Sequence, residues 1–206
     1  MPLELYLGFV LASTVLILIP GPNVTLLVAH SIGFGARRSL STLAGTSSAI
    51  AIQLAITVLG MTSVMLVLAA WFEWLRWAGV LYLVYLGVQQ WRAVPVALED
   101  LDARAIPARA LFWQGFVVSA TNPKTLLFYA AFFPQFVDPV SPLMAQLVLL
   151  SATFLILATV LDGAYVLLAG RLRRLFRGHA RARLRNRLTG SLLIGAGVGL
   201  ALARRQ

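Results

Sequence analysis

Two residues of opposite charge, Lys124 and Asp162, stand inside long apolar runs of the sequence. Lys124 is about 10–12 residues from either end of its run, or roughly 15–18 Å at a helical rise of ~1.5 Å per residue. Asp162 lies nine residues before Arg171, the first basic residue after its apolar run, which places it roughly 13 Å inside that end of the run. Charges at such depth in a membrane are costly, and they commonly face a cavity or a partner on the path of an ion or substrate.

The Lys124 and Asp162 charges have two interpretations. They could form a static ion pair that fixes the packing of two helices. Alternatively, Asp162 takes up and releases a proton, or one of the two residues exchanges its partner for a charged group of a substrate. They are the only deep charges of opposite sign in the sequence, and both interpretations stay open at this point.

Two of the apolar runs contain a proline next to an asparagine, as Pro22 with Asn23 and as Asn122 with Pro123. Proline has no N–H group for the carbonyl four residues earlier, which is that of Ser119 in the second run, and it disfavours helical dihedrals in the residue before it. We expect a helix break at both places. Freed backbone groups cannot face lipid, so they must face protein or water and can form a binding surface.

Neutral polar side chains at membrane depth, among them Gln53 and Tyr129, add hydrogen-bonding groups to this surface. The chain has no cysteine and only two histidines, which lie far apart, so we predict neither a metal site nor a cofactor. The candidate substrate-binding or ion-binding residues are Pro22, Asn23, Gln53, Asn122, Pro123, Lys124, Tyr129 and Asp162.

The composition predicts that membrane helices carry these residues. Hydrophobic residues make up 60% of the 206 residues and charged residues 12%, against about 45–50% and about 25% in soluble domains. The mean hydropathy is +0.86. We expect an all-α integral membrane protein with one transporter domain over residues 1–206. Six segments fit a hydrocarbon core of ~30 Å, and they cover approximately residues 5–30, 40–66, 71–91, 111–134, 144–168 and 188–203.

The arginines lie between these segments, and their placement predicts the orientation of the chain. The connections after the first, third and fifth segments hold two, three and eight arginines, whereas the opposite side holds three. Because cytoplasmic loops retain Lys and Arg, both termini should face the periplasm. The net charge of +10 therefore does not indicate a nucleic-acid partner. The basic run that begins at Arg171 and ends at Arg187 could lie as an amphipathic helix on anionic lipid headgroups.

Because each half has three segments, an odd number of crossings, the second half enters the membrane from the opposite side and is inverted relative to the first. Repeat one would cover about residues 1–92 and repeat two about residues 111–206, with a cytoplasmic loop at about 93–110 between them. The proline-broken segments, one and four, open the two repeats at equivalent places. Transporters with inverted repeats bind substrates and coupling ions at such broken helices. We therefore predict six transmembrane helices in two inverted three-helix repeats.

The sequence resembles the LysE/RhtB family of small bacterial inner-membrane exporters. The matching stretches are residues 20–23, 35–38, 82–87, 122–124 and 132–137 together with Asp162, and the resemblance covers nearly the whole chain. The chain departs from many members at residues 49–53, where those members carry an acidic or strongly polar residue. The resemblance implies six helices in two inverted halves, a central substrate site, and export of an amino acid or a derivative driven by the proton gradient.

We therefore expect a secondary exporter of amino acids or their derivatives in the bacterial inner membrane, working by proton antiport. Lys124 would attract the substrate carboxylate or pair with Asp162, and Asp162 would carry the proton. The sequence leaves open a homo-oligomer and two alternatives: efflux of another small metabolite or cation on the same scaffold, or a structural membrane protein without transport. An enzyme is disfavoured because the sequence has no recognisable nucleophile–base set or phosphate-binding loop.

Overall fold

The computed structural model describes residues 1–60, 74, 77, 80–81, 84–89, 91–92, 106–131, 133–173 and 179–202. Every regular element in these ranges is helical, as expected from the composition. A 3-10 turn, Phe133–Phe136, also occurs in this part of the chain. The α-helices with described bounds are α1 (Leu3–Leu18), α2 (Pro22–Phe34), α3 (Ala36–Gly60), α4 (Ala108–Ala120), α5 (Pro123–Ala131), α6 (Leu143–Leu172) and α7 (His179–Leu202).

Two of the described helices are long and apolar enough to cross a membrane. They are Ala36–Leu59 of α3 and Leu143–Leu172, which is α6. The pair α1 and α2 counts as a third span if it crosses as one unit, bent by 51° at its break. The predicted segment at residues 71–91 and the predicted loop at about 93–110 lie largely outside the described residues, so the arrangement of six helices in inverted repeats stays a prediction.

Two predicted segments begin earlier in the structure than the hydropathy indicated. The helix predicted at residues 40–66 starts at Ala36, directly after Gly35, whose φ of 87° only glycine adopts without strain. The helix predicted at residues 188–203 starts at His179. Hydropathy misses such starts because basic residues can be helical outside the apolar core. The basic run is therefore shared between the end of α6 and the start of α7, and its described residues do not form a separate surface helix.

An aromatic and aliphatic core lies where α1, α3, α5 and α6 meet. Tyr129 and Phe154 pack edge to face with ring centres 5.2 Å apart, and Phe9 meets Phe133 in the same way at 5.3 Å. Such pairs contribute about 0.5–1.5 kcal/mol each beyond the area that they bury. Since α5 has only nine residues, too few for a stable isolated helix, these contacts fix its position.

The backbones of α3 and α4 touch at two glycines. A Cβ atom on Gly45 would lie 2.0 Å from the carbonyl oxygen of Phe112, and one on Gly115 would lie 2.3 Å from that of Thr42. Small residues at helix interfaces in membranes permit this kind of close approach. It brings the end of α4 within reach of the polar side chains of α3.

Candidate functional site

The first helix break separates α1 from α2 and exposes the carbonyl end of α1. The last carbonyls of a helix have no partner within it. Here the Tyr165 hydroxyl donates to the Leu18 carbonyl at 2.9 Å, and the Lys124 ammonium donates to the Ile19 carbonyl. The Lys124 side chain passes close to Gly21, where a Cβ would be 3.2 Å from Lys124 Cδ. A positive charge at this end of α1 is favourable because it meets the negative pole of the helix dipole.

The second break separates α4 from α5, and protein groups cover its freed carbonyls. Pro123 cannot donate to the Ser119 carbonyl. This carbonyl instead accepts from Gln53 Nε2 at 3.2 Å and from the backbone N–H of Asn122 at 3.1 Å. Gln53 Nε2 also donates to the Ala120 carbonyl at 3.1 Å. The Asn122 side-chain oxygen accepts a hydrogen bond from the backbone N–H of Lys124 at 3.1 Å and so caps the first turn of α5.

A buried chain of hydrogen bonds joins the two breaks. Asn122 Nδ2 donates to Asn23 Oδ1 at 3.0 Å, and Asn23 Nδ2 donates to Ser119 Oγ at 3.1 Å. Ser119 Oγ donates in turn to the Thr46 carbonyl at 3.2 Å. Buried polar chains whose members are paired fix one arrangement of the elements that carry them. The two asparagines that the sequence singled out are therefore in direct contact.

A cavity of about 30 Å³ lies between the breaks. This is room for one or two water molecules, and about a tenth of the volume of a typical small-molecule site. The space is too small for an organic molecule, so the helices must move apart to admit one. The polar residues on the wall are Asn23, Asn122, Lys124, Thr125 and Asp162, and the others are Leu16, Ile17, Gly21, Val24, Ile50, Phe154 and Ala158.

Lys124 and Asp162 both line this cavity without a direct ion pair between them. The Lys124 ammonium is held by the Ile19 carbonyl instead. Asp162 is 4% exposed, and none of the described residues donates a hydrogen bond to its carboxylate. A buried carboxylate without donors is unstable as an anion. Asp162 therefore suits a proton or a cationic group, while Lys124 has further N–H donors for an anionic group.

The structure gives the remaining predicted residues other surroundings. Gln53 is not among the described residues on the cavity wall, and its amide N–H groups bind the carbonyls at the second break. Tyr129 lies in the aromatic core, and its hydroxyl has no hydrogen-bond partner among the described residues. Pro22 and Pro123 are the first residues of α2 and α5. Their contribution is the pair of breaks themselves.

Two residues that hold the site together are outside the predicted site: Ser119, and Tyr165, which the sequence showed only as one of the polar side chains at membrane depth. Ser119 lies four residues before Pro123, so it was visible only as the owner of a freed carbonyl and not as a partner of Asn23. Tyr165 follows Asp162 by three residues, which puts both on one face of α6. No group of His, Cys, Asp or Glu in the described ranges has the arrangement of a metal site.

Comparison with known proteins places the chain among transport proteins. A family model described as LysE type translocator matches residues 14–204. The chain is 33% identical to the homoserine/homoserine lactone efflux protein of Salmonella typhimurium, over 99% of both chains. It is 28% identical to an uncharacterized membrane protein of Vibrio cholerae, over 99% of this chain and 100% of that one. It is 27% identical to the leucine efflux protein of Salmonella choleraesuis, over 95% of this chain and 94% of the relative. No solved structure matches the chain.

Proposed function

Because the chain belongs to the LysE type translocator family, as its sequence motifs indicated, we propose that it is a secondary active exporter of amino acids or amino-acid derivatives in the bacterial inner membrane. Its relatives that are named as efflux proteins for homoserine, homoserine lactone and leucine support this substrate class. The observation that carries the proposal is the cavity where Lys124 and Asp162 lie between two helix breaks.

In this proposal the substrate carboxylate binds to Lys124. The ammonium would exchange the Ile19 carbonyl for the substrate anion, so binding would release the cap on α1 and loosen the first break. The first turns of α2 and α5 supply Asn23, Val24, Lys124 and Thr125 to the cavity wall, which brings the positive ends of two helix dipoles to the same place. Substrate binding and opening of the break are then one event.

Asp162 carries the coupling proton. Its carboxylate can bind a proton or the ammonium group of a substrate, but not both at once. A proton arriving from the periplasm would displace the substrate outward, and a cytoplasmic substrate would displace the proton inward. Because the empty, charged carboxylate is costly to bury, the transporter changes sides with one of the two bound. The exchange is therefore antiport.

The proposal includes the orientation predicted from the arginines, with both termini in the periplasm and two inverted repeats, at about residues 1–92 and 111–206, in one transporter domain. Two observations support the repeats: α2 and α5 each begin with a proline, and Asn23 and Asn122, which lie beside these prolines, bond to each other. In the same arrangement the basic residues between Arg171 and Arg187 would contact anionic headgroups on the cytoplasmic side.

The test is export of homoserine and leucine from vesicles that hold equal amounts of folded protein. We expect Asp162→Asn to insert and fold but to lose export against a gradient, because an amide cannot exchange a proton. Asp138→Asn is the matched control, since Asp138 lies in the turn before α6, where its carboxylate accepts from Ser141 and Val140. It should export normally. Uphill export by Asp162→Asn with the pH dependence of the unaltered protein would refute the assignment of the proton to Asp162.

A further inference from the structure

The cavity wall combines two charged side chains with apolar ones. Its charged side chains among the described residues are one cation, Lys124, and one anion, Asp162. The apolar residues on the wall include Ile17, Ile50 and Phe154, which belong to the buried aromatic and aliphatic core. A molecule that satisfies this wall carries one negative and one positive group and no further charge.

We propose that the substrate is a zwitterionic amino acid with a free carboxylate and an uncharged side chain, and that Phe154 and Ala158 limit the size and polarity of that side chain. This inference rests on the proposed export function and adds the chemical class of the substrate. It predicts that the protein distinguishes a free amino acid from its lactone, whereas the name of one relative covers both homoserine and homoserine lactone.

The free carboxylate is required because of Lys124. When the substrate displaces the Ile19 carbonyl, the half-buried ammonium loses its acceptor and needs another one in the cavity. A carboxylate provides it, and a hydrogen bond between two charged groups is stronger than one to a neutral acceptor. A lactone offers only a neutral ester and would leave a cationic amine in the same cavity as Lys124. The lactone should therefore bind less well than the open amino acid with the same skeleton.

The uncharged side chain is required because of the core behind the cavity. Ala158 lies one helical turn before Asp162 on α6, and Phe154 lies one turn before Ala158, so these three residues share one face of the helix. A second ammonium on the substrate would point to this face, where no described residue on the cavity wall offers another carboxylate. Burying a charge without a partner is strongly unfavourable. Substrates with cationic side chains should be rejected.

The experiment measures uptake of four labelled compounds into inverted vesicles that contain the full chain: homoserine, homoserine lactone, leucine and lysine. We expect the rates for homoserine and leucine to exceed those for the lactone and lysine by about tenfold or more, the factor for one lost bond to a charged group. Lys124→Gln should bring the ratio of homoserine to its lactone towards one. Ala158→Leu should slow the uptake of leucine more than the uptake of homoserine. The same change at Ala152, which is exposed on α6, should not alter the ratio of these two rates.

Equal rates for homoserine and its lactone, or for leucine and lysine, would overturn this inference and leave the export function standing. A ratio of homoserine to lactone that Lys124→Gln leaves unchanged would remove Lys124 as its cause and overturn the argument for the carboxylate. If none of the four compounds moves faster than in empty vesicles, both the inference and the proposed function are wrong. The comparison of the four compounds needs only the unaltered protein, so it decides the matter even where a variant does not fold.

Discussion

Gly45 is where the packing of α3 against α4 and the polar contacts of the second break depend on each other. A Cβ atom at this position would lie 2.0 Å from the Phe112 carbonyl oxygen, whereas a carbon and an oxygen in contact need about 3.3 Å. Gly45→Ala must therefore separate the two helices by roughly 1 Å. The bonds from Ser119 Oγ to Thr46 and from Gln53 to Ala120, at 3.2 and 3.1 Å, cross the same interface and would be lost at that separation.

The expected cost of Gly45→Ala follows from these contacts. Overpacking costs about 1–3 kcal/mol, and the half-buried Ala120 carbonyl, left without its donor, costs about 1–3 kcal/mol more. The higher helix propensity of alanine returns about 1 kcal/mol. We expect a loss of about 1–5 kcal/mol in the free energy of unfolding, together with slower export per folded molecule, because Gln53 and Ser119 no longer hold the break.

The assay is unfolding by SDS in mixed micelles, followed by export in vesicles at equal folded protein. Gly33→Ala is the matched control, because a Cβ atom on Gly33 of α2 would meet no atom of the described residues within 4 Å. It should leave the protein as stable as before or slightly more stable. If Gly45→Ala and Gly33→Ala have the same stability and both export normally, the close contact of α3 and α4 does not support the site.

Two further predictions concern the breaks and the orientation of the chain. Pro22→Ala and Pro123→Ala should reduce export more than they reduce the amount of folded protein, because each restores a backbone N–H group that can close a helix break. Pro139→Ala, in the exposed turn, is the control and should not reduce export. Normal export by the first two variants would mean that the breaks are purely structural. Single cysteines at the exposed positions Ala108 and Pro139 of this cysteine-free chain should react with a membrane-impermeant reagent from opposite sides, the first from the cytoplasm, and labelling from one side would contradict the predicted orientation.

The sequence predicted the breaks well because a proline acts on its own neighbours. The missing N–H of Pro123 and the freed Ser119 carbonyl follow from covalent structure alone, and the chain does break there. The partner of Lys124 could not be predicted in this way. The sequence offered Asp162 as the opposite charge, whereas the bend between α1 and α2 brings the Ile19 carbonyl to the ammonium.

The assignments of Gln53 and Tyr129 had the same difficulty. An amide or a hydroxyl at membrane depth can face a cavity, a neighbouring backbone or an apolar core, and only the packing of distant helices decides among these. Gln53 meets the end of α4 because the two glycines bring α3 and α4 together. Tyr129 enters the core because α5 places it against Phe154. Their roles as substrate contacts stay predictions, while their structural contacts are now defined.

The two caps on α1 also set an order of events during synthesis of the protein. Lys124 follows Ile19 by 105 residues, and Tyr165 follows Leu18 by 147 residues. At a translation rate of about 5–20 residues per second, Lys124 is synthesised roughly 5–20 s after Ile19, so the Ile19 carbonyl lacks its donor for that time. Lipid offers no hydrogen bond during that time. The nascent first half must therefore keep its break in contact with water or the insertion machinery until the second half arrives to close it.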